Sequence, residues 1–194
     1  SGIEIEILDE RSSEKKVSKL RFKGGIESFV KFLDKSKENF ISNPITFTEK
    51  KGDLIVDAAI IWNTGYYENM LCFTNNIPQI DGGTHLAGFR SSLTRVINKL
   101  ANESGILEKN KINLTGEDCR EGMTCVLSVK MPDPKFASQT KHKLVSSEIR
   151  PVVESAVNAG LEQWLEENPK DTKLILTKIL ESAQAREAAR KARE

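Results

Sequence analysis

What this sequence has little of narrows the field first. Cysteine is scarce: Cys72, Cys119 and Cys125 make an odd count, and none belongs to a C-x-x-C pair. A disulfide framework and a thiolate zinc site are both disfavoured, and a reducing, cytoplasmic setting fits best. Histidine is scarcer still, with only His85 and His142, far apart in the chain. There is no H-E-x-x-H and no G-x-G-x-x-G, and no glycine is followed by lysine, so a phosphate-cradling G-x-x-x-x-G-K-[ST] loop is absent. No apolar run approaches the ~20 residues that span a bilayer. The opening SGIEIEILDERSS lacks the layout of a signal peptide. Aromatic residues are 6% and scattered, and the net charge is only +1. A protein that wraps nucleic acid over most of its surface is far more basic, so any contact with a polyanion must be local. Nothing points to a self-contained active site or to repeats of fixed period.

What remains is the composition of an ordinary globule. The chain has 194 residues, 38% hydrophobic and 29% charged, enough for one domain, or one domain with an extension, and a substantial core. It opens as if inside a strand, which suggests a piece of something longer. Ile3, Ile5 and Ile7 alternate with Glu4 and Glu6, the pattern of a half-buried strand. After a polar turn, DERSSEKK, Val17, Leu20 and Phe22 suggest its partner. Ile26, Phe29, Val30 and Leu33 recur at helical spacing and predict a helix over 25–37. Strands follow at 45–48, 54–62 and 68–74, with turns at Lys51-Gly52-Asp53 and Thr64-Gly65, and are expected to form an antiparallel meander.

Asp81-Gly82-Gly83-Thr84 announces the main helix, with Thr84 the expected N-cap and Leu86, Phe89, Leu93, Val96, Ile97 and Leu100 on one face. Gly105 ends it. A strand over 123–131 closes at Pro132-Asp133-Pro134 and leads into a basic loop, Lys135 to Lys143. A helix over 147–167 stops at Asn168-Pro169, which also starts the last helix, with Asn168 as N-cap. That helix ends AQAREAARKARE, rich in strong helix formers.

Several stretches together resemble the DNA gyrase B family. They are FKGGIESFVKFL, ENMLCFTNNIPQIDGGTHLAGFRSSLTR, CREGMTCVLSVKMPDPKFASQTK, KLVSSEI, ENPKD and AREAARKARE, in order along essentially the whole chain. The resemblance implies an α+β fold: a mixed sheet with helices packed on one side, akin to ribosomal protein S5 domain 2, plus a long C-terminal helix. It implies that residues 1–24 are terminal strands of an ATPase domain. Residues 25–168 would then form a transducer core and 169–194 a lever helix. The function it implies is coupling ATP binding and hydrolysis in a neighbouring domain to DNA strand passage and negative supercoiling.

The same resemblance implies the site. Lys141, in QTK, is expected to contact the γ-phosphate of ATP and neutralise charge in the transition state, with Gln139 also facing that phosphate and Thr140 shaping the loop. Read from composition alone, Lys141 is a solvated charge near Lys135 and Lys143. Arg90 is the DNA candidate, its alternative being a stem laid over the edge of the core. Magnesium belongs to the complete enzyme, and no ligand for it is expected in this chain. The expected partners are gyrase A, in an assembly holding two copies of each protein, a second gyrase B and double-stranded DNA, with no membrane. The rival reading is a free-standing S5-like RNA- or DNA-binding module, which needs a basic or aromatic stripe that the scattered aromatics do not supply. A self-sufficient enzyme is the third.

Overall fold

Residues 4–9, 11, 16–21 and 24–193 are described by the computed structural model. In chain order the elements are β1 (Glu4–Asp9), β2 (Lys16–Arg21), α1 (Gly25–Leu33), β3 (Ile45–Lys51), β4 (Leu54–Trp62), β5 (Asn69–Thr74), β6 (Ile77–Pro78), α2 (Thr84–Glu103), α3 (Ile106–Asn110), α4 (Gly116–Arg120), β7 (Met123–Lys130), α5 (Ile149–Glu167) and α6 (Pro169–Lys191). The fold is α+β, built on a mixed five-stranded sheet in the order β3-β4-β7-β5-β6. No helix is long and apolar enough to cross a membrane among the described residues.

The central strands explain themselves. β4 and β7 are rich in apolar and β-branched residues, and β7 is buried from Met123 through Val129. Such a run belongs in the middle of a sheet with both faces covered. β7 accordingly lies between β4, to which it is antiparallel, and β5, to which it is parallel. This corrects the expected meander: β5 does not return along β4. A parallel neighbour requires a long crossover, and here α2, α3 and α4 lie between β5 and β7 in the chain.

The helices do not all lie on one side, which corrects a second expectation. Phe47, Ala58, Leu127 and Cys72 are cross-strand neighbours on one face. α5 packs there so closely that a Cβ on Gly160 would come within 2.4 Å of the Phe47 side chain. α2 lies beside α5, joined by the Ser92 hydroxyl donating to the Glu154 carbonyl at 3.0 Å. The opposite face carries Phe73, Ser128, Thr124 and Ile61. α1 covers that face, with the Phe29 and Phe73 ring centroids 6.2 Å apart. A sheet whose central strands are apolar in both parities needs a layer on each side.

α1 ends earlier than the pattern predicts because Asp34 turns into the sheet. Its carboxylate is fully buried. It accepts from the Thr124 hydroxyl at 2.6 Å and from the Asn63 amide at 3.1 and 3.2 Å. Lys37 Nζ lies 3.2 Å away. This cluster ties α1 to β7 and to the end of β4.

The β1–β2 hairpin is a separate two-stranded sheet. Its alternation is real, but the expected half-burial is not: Ile5, Ile7, Leu8 and Val17 are each about half exposed. A lone pair of strands has no packed layer to cover it. The expectations for Ile3, Phe22 and most of the DERSSEKK turn lie outside the described residues.

At the other end, Asn168 does not cap α6 with its side chain. Its amide donates back to the Trp164 carbonyl at 2.9 Å and closes α5 instead. α6 buries Ile175, Leu176 and Ile179. Polar contacts with α4 and the residue after it hold it further: Ser182 Oγ donates to Glu121 at 2.6 Å, and Arg186 grips the buried Asp118 at 3.0 Å.

Replacing Asp34 by Ala should leave the Thr124 hydroxyl and Asn63 amide buried without an acceptor and cost about 3 kcal/mol. Urea unfolding checks this: a lower midpoint at unchanged slope is expected, and an unchanged midpoint refutes the tie.

Candidate functional site

Two segments far apart in the chain meet at the start of α2. The residues after β7 form a hairpin that runs out from Lys135 and returns through Val145. Val145 N–H donates to the Lys135 carbonyl at 2.9 Å, and Ala137 N–H to the Lys143 carbonyl at 3.0 Å. At the tip, Lys141 N–H donates to the Ser138 carbonyl at 3.1 Å, closing a four-residue turn. The Ser138 and Thr140 hydroxyls lie 2.7 Å apart across it. Lys141 takes a left-handed φ of 58°. That conformation is unfavourable for a residue with a Cβ, and the turn bond and the hydroxyl pair around it help to hold it.

The root of the hairpin is locked to the DGGT segment. Leu144 N–H donates to the Gly82 carbonyl at 3.0 Å, Thr84 N–H to the Leu144 carbonyl at 3.1 Å, and Asp81 N–H to the His142 carbonyl at 2.9 Å. The fit leaves no room at Gly83, whose φ is 141°: a Cβ there would lie 2.2 Å from the Leu144 oxygen. Glycine is thus required by both conformation and approach. Gly83, not Thr84, is the N-cap of α2, which corrects the sequence reading. Thr84 is the first helical residue, and its hydroxyl donates to the Ser146 carbonyl at 2.6 Å, adding a further tie to the hairpin's return strand.

The three residues of QTK are all exposed at the tip. Lys141 makes no ion pair among the described residues, and its ammonium lies 6.0 Å from the centre of the Phe136 ring. An unpaired ammonium, an amide and a hydroxyl form a donor set that suits phosphate oxygens.

Arg90 is placed differently. It is not a free cation: its Nη2 donates to both Glu68 oxygens, at 2.9 and 3.0 Å. Glu68 also accepts from Arg120 Nε at 3.1 Å. Arg90 lines a cavity of about 410 Å³ whose other wall includes Lys143, Leu144 and Val145 of the hairpin. Lys141 is not among the lining residues, so the two candidates border one region without sharing a pocket. Glu68 and Arg120 were missed in the sequence, because nothing in their spacing marks them.

Beneath α2 lies a polar network that sequence reading also missed. His85 is fully buried, with Nε2 3.1 Å from Gln79 Oε1, which also accepts from the Thr74 hydroxyl at 2.8 Å. The Gln79 oxygen only accepts, so Nε2 carries the proton. Nδ1 is left without a partner. Burial pushes the His85 pKa down from 6.5 to about 4. Burial likewise pushes the Cys72 and Cys119 thiols up to about 12, so neither is a nucleophile near neutral pH. No group of three or more His, Cys, Asp or Glu is placed to hold a metal among the described residues.

Comparison with known proteins bears on this geometry. The structure of the 43K ATPase domain of Thermus thermophilus gyrase B, solved with an aminocoumarin, superposes with a TM-score of 0.85 at 37% identity, covering 92% of this chain and 48% of that one. The ATP binding domain of Francisella tularensis topoisomerase IV, solved with a small-molecule inhibitor, gives a TM-score of 0.73 at 27% identity, over 89% of this chain and 46% of that one. The fold is therefore that of a portion of topoisomerase ATP-binding regions. A family model described as DNA gyrase B matches residues 25–194, and the DNA gyrase B protein of Caulobacter vibrioides is 58% identical over 194 residues. The chain belongs to the DNA gyrase B family. It spans about a quarter of the length of that relative.

These matches overturn the assignment of the chain to a transducer standing outside the ATPase domain and coupling it to strand passage and supercoiling. These two solved structures are described as an ATPase domain and an ATP binding domain, and the matched part makes up nearly half of each. The sequence reading ended the ATPase domain at residue 24, whereas the fold beyond that residue lies within structures described as ATPase and ATP-binding domains. Family membership also displaces the free-standing nucleic-acid module.

Two outcomes test the local geometry. Gly83→Ala should force the Leu144 strand away, expose the hairpin to trypsin at Lys135, Lys141 and Lys143, and cost more than about 2 kcal/mol. Unchanged cleavage and stability would show the contact to be slack. For His85, the unfolded chain titrates near 6.5 and binds the extra proton first on acidification. The stability contributed by the neutral imidazole is therefore complete above pH 6.5 and lost as pH falls toward 4. Between pH 7 and pH 5 the wild type should lose about 2 kcal/mol more than His85→Gln. Parallel pH profiles from chemical unfolding would refute the assignment.

Proposed function

We propose that this chain is part of the ATP-binding region of a gyrase B-type protein and that Lys141 is its contribution to the nucleotide's terminal phosphate. The observation that carries the reading is the hairpin. It presents an unpaired ammonium at a bonded turn, and its root is fixed to α2 through Gly83. Gln139 stands beside Lys141 as a second donor to the same phosphate. When ATP is bound, it supplies the phosphoryl group. Lys141 holds and neutralises the oxygens on which charge accumulates. One charge-assisted hydrogen bond contributes about 1.5–3 kcal/mol, so Lys141 assists a site whose remaining parts come from elsewhere. Magnesium would be held by those other parts.

The complete protein is proposed to be an ATP-dependent type II topoisomerase that works with gyrase A, a second gyrase B and double-stranded DNA in the cytoplasm. Residues 1–24 are proposed to belong with the remainder of the ATPase domain. The half-exposed apolar residues of the β1–β2 hairpin and the start of the family match at residue 25 support that boundary. The run of strands β3 to β6, helices α2 to α4, strand β7 and helix α5 supports likeness to ribosomal protein S5 domain 2. Arg90 is proposed to meet a phosphate of the DNA backbone.

In the intact protein, Lys141→Ala should lower ATP turnover by about 10²-fold, comparable to loss of one preorganised transition-state donor. The exposed side chain predicts an unchanged melting temperature. Steady-state hydrolysis with thermal unfolding checks both, and normal turnover would remove Lys141 from the site.

A further inference from the structure

We infer that Arg90 is a displaceable arm for a DNA phosphate and that Glu68 is its built-in competitor. The inference rests on the reading of Arg90 as a DNA contact and specifies how that contact is regulated.

Glu68 stands between two guanidinium groups. Arg90 reaches it through Nε at 3.2 Å and Nη2 at 2.9 and 3.0 Å. Arg120 reaches it through Nε at 3.1 Å. That edge of a guanidinium is a fork suited to a carboxylate or a phosphate. In this structure Glu68 fills the fork of Arg90, so a phosphate must displace the carboxylate to be gripped in the same way.

The two arginines are not equivalent. The Arg120 side chain is 14% exposed and that of Arg90 is 41% exposed. If Arg90 swings away, Glu68 keeps Arg120, and Arg90 is rehydrated. If Arg120 left, a largely buried guanidinium would lose its counter-ion, which is costly. The exchange is therefore one-sided, with Arg120 the anchor and Arg90 the arm. The 410 Å³ cavity beside Arg90 is bordered by Lys143 and Thr84 as well as by Asp81. A second cation thus lies on the side where an incoming phosphate would sit. A contact that must first break an ion pair is weak and salt-sensitive, and it releases readily.

Fluorescence anisotropy with a labelled duplex of roughly 20 base pairs at low salt tests this. Glu68→Gln should tighten binding by about fivefold, the effect of removing one partly exposed ion pair. Arg90→Gln should weaken binding and reduce the salt slope by about 1. The double variant should bind no better than Arg90→Gln alone. If Arg90→Gln weakens binding but Glu68→Gln brings no gain, the competition is overturned and the DNA contact stands. If neither changes binding, both fall. Thermal unfolding accompanies each variant. Should Glu68→Gln fail to fold, Glu68→Asp keeps a carboxylate for Arg120 while shortening the reach to Arg90. It should tighten binding at least about twofold, and no gain would overturn the proposal. A gain for inorganic triphosphate without one for the duplex would overturn the assignment to DNA.

Discussion

The contact on which the rest of the site depends is between backbones. Gly83 and Leu144 lie so close that no side chain fits between them. The two N–H···O bonds that flank the contact set where α2 begins and where the hairpin leaves the body. Because main chain meets main chain, the position of Lys141 does not depend on the rotamer of any side chain at the root. It depends on one residue being glycine. The same contact brings Lys143 to the cavity that Arg90 lines from α2, so the placement of both candidate cations follows from a single close approach.

The fold was legible where the information is local and illegible where it is not. The alternation in β1, the β-branched run of β4 and the apolar face of α2 all appear in the structure as elements of the expected type. The strand order does not follow from those patterns. β7 inserts between β4 and β5 because its residues are buried on both faces, and burial on both faces is a property of the finished sheet. The same reason places α1 on the far side. Its apolar spacing identifies a helix, but not which of two apolar sheet faces it covers. Thr84 was mistaken for a cap because its hydroxyl has a partner, the Ser146 carbonyl, that spacing cannot reveal.

At the candidate site, Lys141, Gln139 and Arg90 were singled out through the resemblance, whereas their surroundings were not. Glu68, Arg120, Asp34 and the His85–Gln79–Thr74 network carry no local signature. The Glu68 and Asp34 contacts join residues far apart in the chain, and the Thr74–Gln79–His85 contacts, though only five and six residues apart, follow no periodic spacing. In a chain where 29% of residues are charged, a single carboxylate says nothing about the cation it will meet. The buried histidine is the clearest case. Sequence showed it only as one of two histidines far apart in the chain. Its environment makes it a neutral donor to Gln79, because protonating Nδ1 would bury a second donor with nothing to accept from it.

The distribution of paired and unpaired cations separates charge that is matched within the fold from charge that is left to meet an outside anion. Arg120, Lys178 and Arg186 face carboxylates on the body of the protein, at Glu68, Glu121 and Asp118. These pairs hold elements together, and the attraction they offer to an outside anion is largely cancelled. Lys141 and Lys143 have no such partner among the described residues. A nearly neutral chain can therefore present positive charge in one place without becoming a general polyanion binder. Arg90 stands between the two groups. It is paired like the structural arginines yet its side chain is more exposed than that of Arg120 or Arg186. Only such a residue can change partners without unfolding anything, since its carboxylate retains a second guanidinium and its own head remains within reach of water.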